Sequence, residues 1–260
     1  MKRILLFTTL LSCVNMLSAQ DSSLYQRALF IRNGDTLRYR ILYPENAEKG
    51  KRYPLLVFLH GSGERGSDNA LQLVHGGDLF LKPELRSQFP AVVIFPQCPL
   101  NTAWSSFPHH RDTSAAFNKQ LNLGELTTPE RLVKLLMDSL ADHKRVDKKR
   151  IYLGGLSLGG FGTYDLVVHY PRYFAAAFPI CGQVNVDLYV QKASHIPVWI
   201  FHGAKDNVVN PQPDRNLIKA LQDAGAKNAK YTEYPEAGHN SWDNAFAEPD
   251  LLHWLFAQKK

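Results

Sequence analysis

The sequence has little of several things that would decide its class at once. Cysteine is scarce, three in 260 residues, too few for a small disulfide-stapled scaffold. Past the N-terminus no apolar run is long enough to span a bilayer, so stable membrane insertion is not expected. No stretch repeats at the period of a solenoid or propeller, and no tract is of low complexity, which removes repeat and disordered architectures. Neither sign of charge dominates: 30 Lys and Arg stand against 24 Asp and Glu, a formal net charge of +6. The basic residues are scattered, and the densest group, Lys144 to Arg150, is broken by Val146 and Asp147. A nucleic-acid binder would show a basic stripe interleaved with aromatics, so nucleic acid is not expected as a partner. Metal-ligand spacing is missing too. His109 and His110 are adjacent, and adjacent side chains rarely reach one ion. Neither a metal nor another cofactor is expected.

What is present is an ordinary globular composition, 45% hydrophobic and 21% charged, able to bury a sizeable core. Residues 1–19 read separately. Lys2 and Arg3 precede an apolar run from Ile4 to Leu11, and the small residues Ser18 and Ala19 precede Gln20. That order is the layout of a secretory signal. It predicts cleavage after Ala19 and a secreted or periplasmic protein. The competing fate is lipidation at Cys13, in Leu10-Leu11-Ser12-Cys13. Cleavage removes two positive charges and leaves +4. No linker or composition shift divides the remainder, so residues 20–260 are expected to form one domain.

Short, continuously apolar runs recur at Leu55–Leu59, Ala91–Phe95, Ile151–Leu153, Ala175–Ile180 and Val198–Phe201, with a weaker one at Tyr231–Tyr234. Runs apolar on both faces suit buried strands of a parallel sheet. Asn33-Gly34, between two strand-like runs, predicts an initial hairpin over Leu29 to Tyr43. Helical patterns fall between the strands. Thr127-Thr128-Pro129-Glu130 is a capped helix start, followed by Leu132, Leu135, Leu136 and Leu140 on one face. Phe161–His169, Asp214–Ala224 with Gly225 behind it, and Leu251–Gln258 are the others. Alternating strands and helices predict an α/β fold with helices on both faces of a mostly parallel sheet. Leu100 to Leu126 lacks periodicity and holds Trp104, Phe107, His109 and His110; a loop of that length is usually functional.

The sharpest chemical signal is Gly155-Leu156-Ser157-Leu158-Gly159, between a predicted strand and a predicted helix. This is the context of a nucleophile elbow, a turn so tight that the flanking positions must be glycine. A serine hydroxyl needs a base, and the base needs an orienting acid. In folds with this elbow, acid and then base follow the serine. Of His169, His195, His202, His239 and His253, only His239 sits in a turn just after the last predicted strand, where such sheets build their sites. Asp206, after Phe201-His202-Gly203-Ala204-Lys205, is the expected acid, with Asp187, Asp214 and Asp243 as rivals. His202, at the end of an apolar strand, reads as structural. The backbone N–H of Leu158 is one expected oxyanion donor. The second is expected from His60-Gly61-Ser62-Gly63, with Gly61 permitting the turn and Ser62 donating. His60 is expected to brace that loop. Glu64-Arg65 reads as a surface ion pair or a substrate contact, with the pair favoured. Trp104 and Trp242, both in loops, are expected to wall the substrate pocket.

Taken together these motifs resemble the alpha/beta hydrolase superfamily. More narrowly, the chain is similar to the secreted bacterial predicted peptidases, or phospholipase/carboxylesterase-like hydrolases. The resemblance rests on Leu59-His60-Gly61-Ser62-Gly63-Glu64-Arg65-Gly66, Phe95-Pro96-Gln97-Cys98-Pro99 with Trp104, Arg150 to Gly160, Phe201 to Asp206, and Gly238-His239-Asn240-Ser241-Trp242. It implies Ser157, Asp206 and His239 as a catalytic triad. It also implies a strand order that keeps Cys98 and Cys181 apart, hence free thiols. Related families include feruloyl and acetylxylan esterases and polyhydroxybutyrate depolymerases. The expected function is a serine carboxylic-ester hydrolase acting on small or aromatic acyl esters, free or polysaccharide-linked. The alternatives are a serine peptidase of prolyl-oligopeptidase type and a non-catalytic ligand-binding protein on the same fold. The resemblance implies an added N-terminal sandwich module in many members, and residues 20–53 are too few for one.

Overall fold

The computed structural model describes residues 22–106, 124–142 and 145–260. Residues 1–19, the expected signal segment with Cys13, lie outside the described residues, as do Phe107, His109 and His110. The strands are β1 (Gln26–Arg32), β2 (Asp35–Leu42), β3 (Tyr53–Leu59), β4 (Val92–Gln97), β5 (Val146–Leu156), β6 (Ala176–Ile180), β7 (Val198–Gly203) and β8 (Ala229–Tyr234). The helices, in chain order, are α1 (Pro83–Gln88), α2 (Thr128–Asp142), α3 (Leu158–His169), α4 (Val186–Ala193), α5 (Gln212–Asp223), α6 (Trp242–Ala247) and α7 (Leu251–Ala257).

All eight strands form one sheet in the order β1-β2-β4-β3-β5-β6-β7-β8. β1 pairs antiparallel with β2 through the Asn33-Gly34 turn, and β2 pairs antiparallel with β4. The remaining pairings are parallel. Successive side chains of a strand point to opposite faces, and the core divides accordingly. Leu55, Val57 and Leu59 of β3 join Leu132, Leu136 and Leu217 on one face. Leu56 and Phe58 join Leu251, Leu252 and Leu255 on the other. Helices α2 to α5 thus cover one face and α7 the other, which is the alpha/beta hydrolase arrangement. Cys98 and Cys181 are buried and free. They follow strands three places apart in the sheet, too far for a bridge.

The predicted capping box forms at the start of α2. Glu130 Oε2 accepts from the Thr127 N–H at 2.8 Å and from its hydroxyl at 2.9 Å. Glu130 is nonetheless fully buried, and its Oε1 finds no donor. Burial, with the neighbouring Asp165 charge behind it, pushes its carboxyl up to about 9. The unfolded chain gives up this proton near the ordinary carboxylate range, while the folded chain holds it. Stability therefore falls as pH rises between those two values. Glu130→Gln copies the protonated form. It is expected to raise Tm by roughly 3 °C at pH 8 and to change little below about pH 4, as thermal melts across pH will show.

Candidate active site

β5 runs into α3 with Ser157 between them, at φ 50° and ψ −118°. A left-handed conformation is strained for any residue with a Cβ. The surroundings impose it: the Ser157 N–H donates to Ile180 O at 2.9 Å, and its carbonyl accepts from the Phe161 N–H at 3.1 Å. The flanking glycines are steric requirements. A Cβ on Gly155 would stand 2.3 Å from Gly159 O, and one on Gly159 would stand 2.0 Å from Leu59 O. Gly159→Ala must push the end of β3 away from α3. It is expected to cost about 3 kcal/mol or more, a fall in Tm of about 10 °C that a thermal melt will measure.

His239 follows β8 in a turn drawn against the end of β7. The Lys205 N–H donates to Ala237 O at 3.0 Å and the Ala204 N–H to Tyr234 O at 3.0 Å. Gly203 permits this closeness, since a Cβ there would lie 2.2 Å from Gly238 O. The result is a continuous relay. Ser157 Oγ lies 2.9 Å from His239 Nε2, and His239 Nδ1 lies 2.7 Å from Asp206 Oδ2. Asp206 Oδ1 accepts the N–H groups of Val208 at 2.8 Å and Val209 at 2.9 Å. Burial alone would raise this carboxyl, but its bonds to His202, His239 and those amides outweigh burial and hold it well below the usual range. A carboxylate accepting at Nδ1 fixes the tautomer in which Nε2 is free to accept the serine proton.

Of the rival acids, Asp187 lies in the first turn of α4 and Asp243 in that of α6. Asp214, at the start of α5, bonds His202 instead, at 2.7 Å. Cys181 Sγ, Asp206 and His239 have donor atoms within 4.8 Å of one another. Both nitrogens of His239 are already engaged, and burial keeps the Cys181 thiol protonated, far above the usual range. That donor set fits a hydrogen-bonded relay better than an ion.

The loop after β3 lies beside the elbow. Gly61 has ordinary extended torsions, so it does not serve a left-handed turn. Its fit is to side chains instead, because a Cβ would meet Leu156 Cδ1 at 2.8 Å and Glu64 Oε2 at 3.0 Å. Ser62 opens a 3-10 turn, and Leu158 is the first residue of α3; N–H groups in a first turn have no intrahelical acceptor. His60 braces the loop as expected. Its Nδ1 donates to Gly61 O at 2.6 Å, and its Nε2 accepts from the Cys98 N–H at 3.0 Å. Burial lowers it to about 4, so it is neutral.

A cavity of about 700 Å³ opens over Ser157, lined by Ser62, Arg65, Phe161, Gln183 and Val208 among others. Two expectations need correction, the Trp104 wall and the Glu64-Arg65 pair. Trp104 is fully buried and is not a wall of this cavity. Its backbone packs on Gly162, and its ring turns into the core against His60, at 5.3 Å. Trp242 is half-buried beside the relay, edge-on to His239 at 5.5 Å and against His75 at 5.1 Å. Glu64 and Arg65 do not pair. Arg65 straps the loop by donating to the carbonyls of Ser62, Leu100 and Thr102, while Glu64 faces His75 at 3.7 Å. Arg65 therefore borders the cavity, and the cavity walls Phe161, Gln183 and Val208 carry no sequence motif that would have singled them out.

A family model for phospholipase/carboxylesterase matches residues 45–249. The chain belongs to the phospholipase/carboxylesterase family. A solved thermostable esterase is 34% identical with a TM-score of 0.82, over 92% of this chain and 64% of that one. A ferulic acid esterase from Anaeromyces mucronatus, solved with ferulic acid, shares the fold at 14% identity and a TM-score of 0.63, over 88% of this chain and 89% of that one. Among curated relatives, a secreted protein of Arthroderma benhamiae is 26% identical over 87% of this chain but only 26% of its own length. A bifunctional acetylxylan esterase/xylanase of Neocallimastix patriciarum is 31% identical over 35% of this chain and 13% of its own. The chain thus spans about a quarter or less of these two curated relatives.

Proposed function

We propose that this chain is a serine carboxylic-ester hydrolase with Ser157 as nucleophile, His239 as general base and Asp206 as the acid that orients it. The observation that carries this reading is the relay at 2.9 and 2.7 Å, set on a strained elbow at the floor of a cavity. His239 Nε2 takes the Ser157 proton as Oγ attacks the ester carbonyl. The tetrahedral oxyanion is met by the N–H of Leu158 and by the loop at Gly61 and Ser62, and the positive end of α3 adds to the field. Collapse expels the alcohol, which takes the proton from His239. Water then hydrolyses the acyl-enzyme by the same route.

The acyl group we propose is small or aromatic, as in acetyl or feruloyl esters, including those borne on polysaccharides. Phe161 and Val208 give the cavity an apolar side, and the acetylxylan and ferulic acid esterases among the relatives support this class. Export is part of the proposal, supported by the order of residues 1–19 and by the secreted Arthroderma relative. No helix among the described residues is long and apolar enough to cross a membrane. The test is hydrolysis of a chromogenic ester series from acetyl through octanoyl, with methyl ferulate and a peptide amide beside it. Turnover of short or feruloyl esters supports the reading. Cleavage of the amide alone favours a peptidase, and no turnover by folded protein favours a binding role.

A further inference from the structure

His202 is the buried titratable group that the three-residue relay leaves out. It is the penultimate residue of β7 and is fully buried. Its Nδ1 lies 2.7 Å from Asp214 Oδ2. Its Nε2 lies 3.1 Å from the Val209 carbonyl and 3.3 Å from Asp206 Oδ2, the oxygen that also receives His239. A carbonyl cannot donate, so Nε2 must carry a proton. Asp214 Oδ2 faces Nδ1 as an acceptor, and the other Asp214 oxygen accepts the Tyr164 hydroxyl at 2.6 Å, so a proton on Nδ1 completes the pair. The oxygens that the two ring nitrogens face, on Asp214, Val209 and Asp206, are all acceptors.

We propose that His202 is a positioning residue, a standing imidazolium clamped between Asp206 and Asp214 that fixes the catalytic carboxylate and limits the basicity of His239. The inference rests on the Ser157 reading of the site. Its logic is a charge count. Asp206 and Asp214 alone would place two buried negative charges behind His239, and nearby negative charge favours the imidazolium over the neutral base that must accept the serine proton. With His202 charged, one net negative charge remains, and it is neutralised when His239 takes that proton. Burial alone would lower His202, yet its hydrogen bonds to Asp206 and Asp214 prevail and raise it to about 9.

The other groups facing this cluster balance among themselves. Glu233, opposite His202 on β8, is held by Arg215 at 2.7 and 2.9 Å and by the Tyr231 hydroxyl. Cys181, near Asp206, stays a neutral thiol. Tyr164 stays a neutral phenol, with Tyr189 packed on it.

Two measurements test this. In the wild-type protein, nitrogen-15 NMR of the imidazole side chains is expected to show both ring nitrogens of His202 protonated from about pH 6 to about pH 8. A neutral, single-tautomer His202 in that range overturns the proposal. In His202→Gln, the acidic limb of kcat/KM for p-nitrophenyl acetate is expected to move up by about one pH unit, with the loss of activity shrinking as pH rises. Asp214→Asn removes one negative charge and, with it, the anion that holds the proton on His202; the same count leaves no more than one net negative charge behind His239, so its limb is expected to stay at or below the wild-type position. A His202→Gln limb that stays at the wild-type position in folded protein overturns the proposal and leaves His202 as packing, as does an Asp214→Asn limb that moves up by as much. If His202→Gln does not fold, the NMR titration of the wild-type protein decides. Failure of the wild type to hydrolyse any ester sinks the Ser157 reading instead, and the NMR result stands apart from it.

Discussion

Replacing Ser157 by alanine is expected to lower kcat/KM for an activated acetyl ester by about 10⁵- to 10⁶-fold. The fold should be kept. The strained backbone at φ 50° is imposed by the bonds of Ser157 N–H and C=O to Ile180 and Phe161, and alanine retains both. Only the hydroxyl is lost, and with it the 2.9 Å bond to His239. Residual turnover would come from the oxyanion donors and the cavity acting on bound water. The measurement is p-nitrophenyl acetate hydrolysis by wild type and variant, with thermal melts alongside. A folded variant keeping a tenth of wild-type activity would show that another group attacks the ester.

Asp206→Asn is expected to cost about 10⁴-fold in kcat at neutral pH. The reason is tautomeric. Asparagine keeps an acceptor for the Val208 and Val209 amides, which Asp206 Oδ1 now bonds at 2.8 and 2.9 Å. Its amide NH₂ then replaces the oxygen that accepts from His239 Nδ1 at 2.7 Å. A donor there forces the proton of neutral His239 onto Nε2, pointing a donor at Ser157 instead of a base. The same NH₂ faces His202, which loses one of its two anions. Combining Asp206→Asn with Ser157→Ala should add almost nothing to the serine variant, because the three residues act as a unit. Additive losses, or a loss in kcat below about tenfold, would contradict the assigned role.

The parts of this molecule that sequence made legible are those where local sterics leave few choices. Gly155 and Gly159 around Ser157 announce an elbow because a Cβ at either one would collide with backbone. Asn33-Gly34 announces a hairpin for an equally local reason. His239 and Asp206 emerge from chain order and from their place after strands of a parallel sheet. The parts that were not legible depend on packing between distant segments. Trp104 sits in a loop, where an aromatic is often a pocket wall, but contact between its backbone and Gly162 turns the ring inward. Arg65 follows an acid, yet carbonyls of Leu100 and Thr102, more than thirty residues on, claim its guanidinium. His202 reads as a strand-end core residue, and that much is right. Its charge depends on Asp214, which only the turn from β7 into α5 brings within 2.7 Å. Helix α4 has few residues to show a period, and Asp187 in its first turn reads as easily as a loop carboxylate.

The central claim is that Ser157 is the activated nucleophile, and active-site labelling tests it most directly. Incubation with a fluorophosphonate, followed by intact-protein and peptide mass spectrometry, is expected to give one stoichiometric adduct, on the peptide that contains Ser157. Labelling should be absent in Ser157→Ala and slowed in Asp206→Asn. An adduct on another residue, or folded wild-type protein that stays unlabelled while a known serine hydrolase in the same tube reacts, would contradict the account.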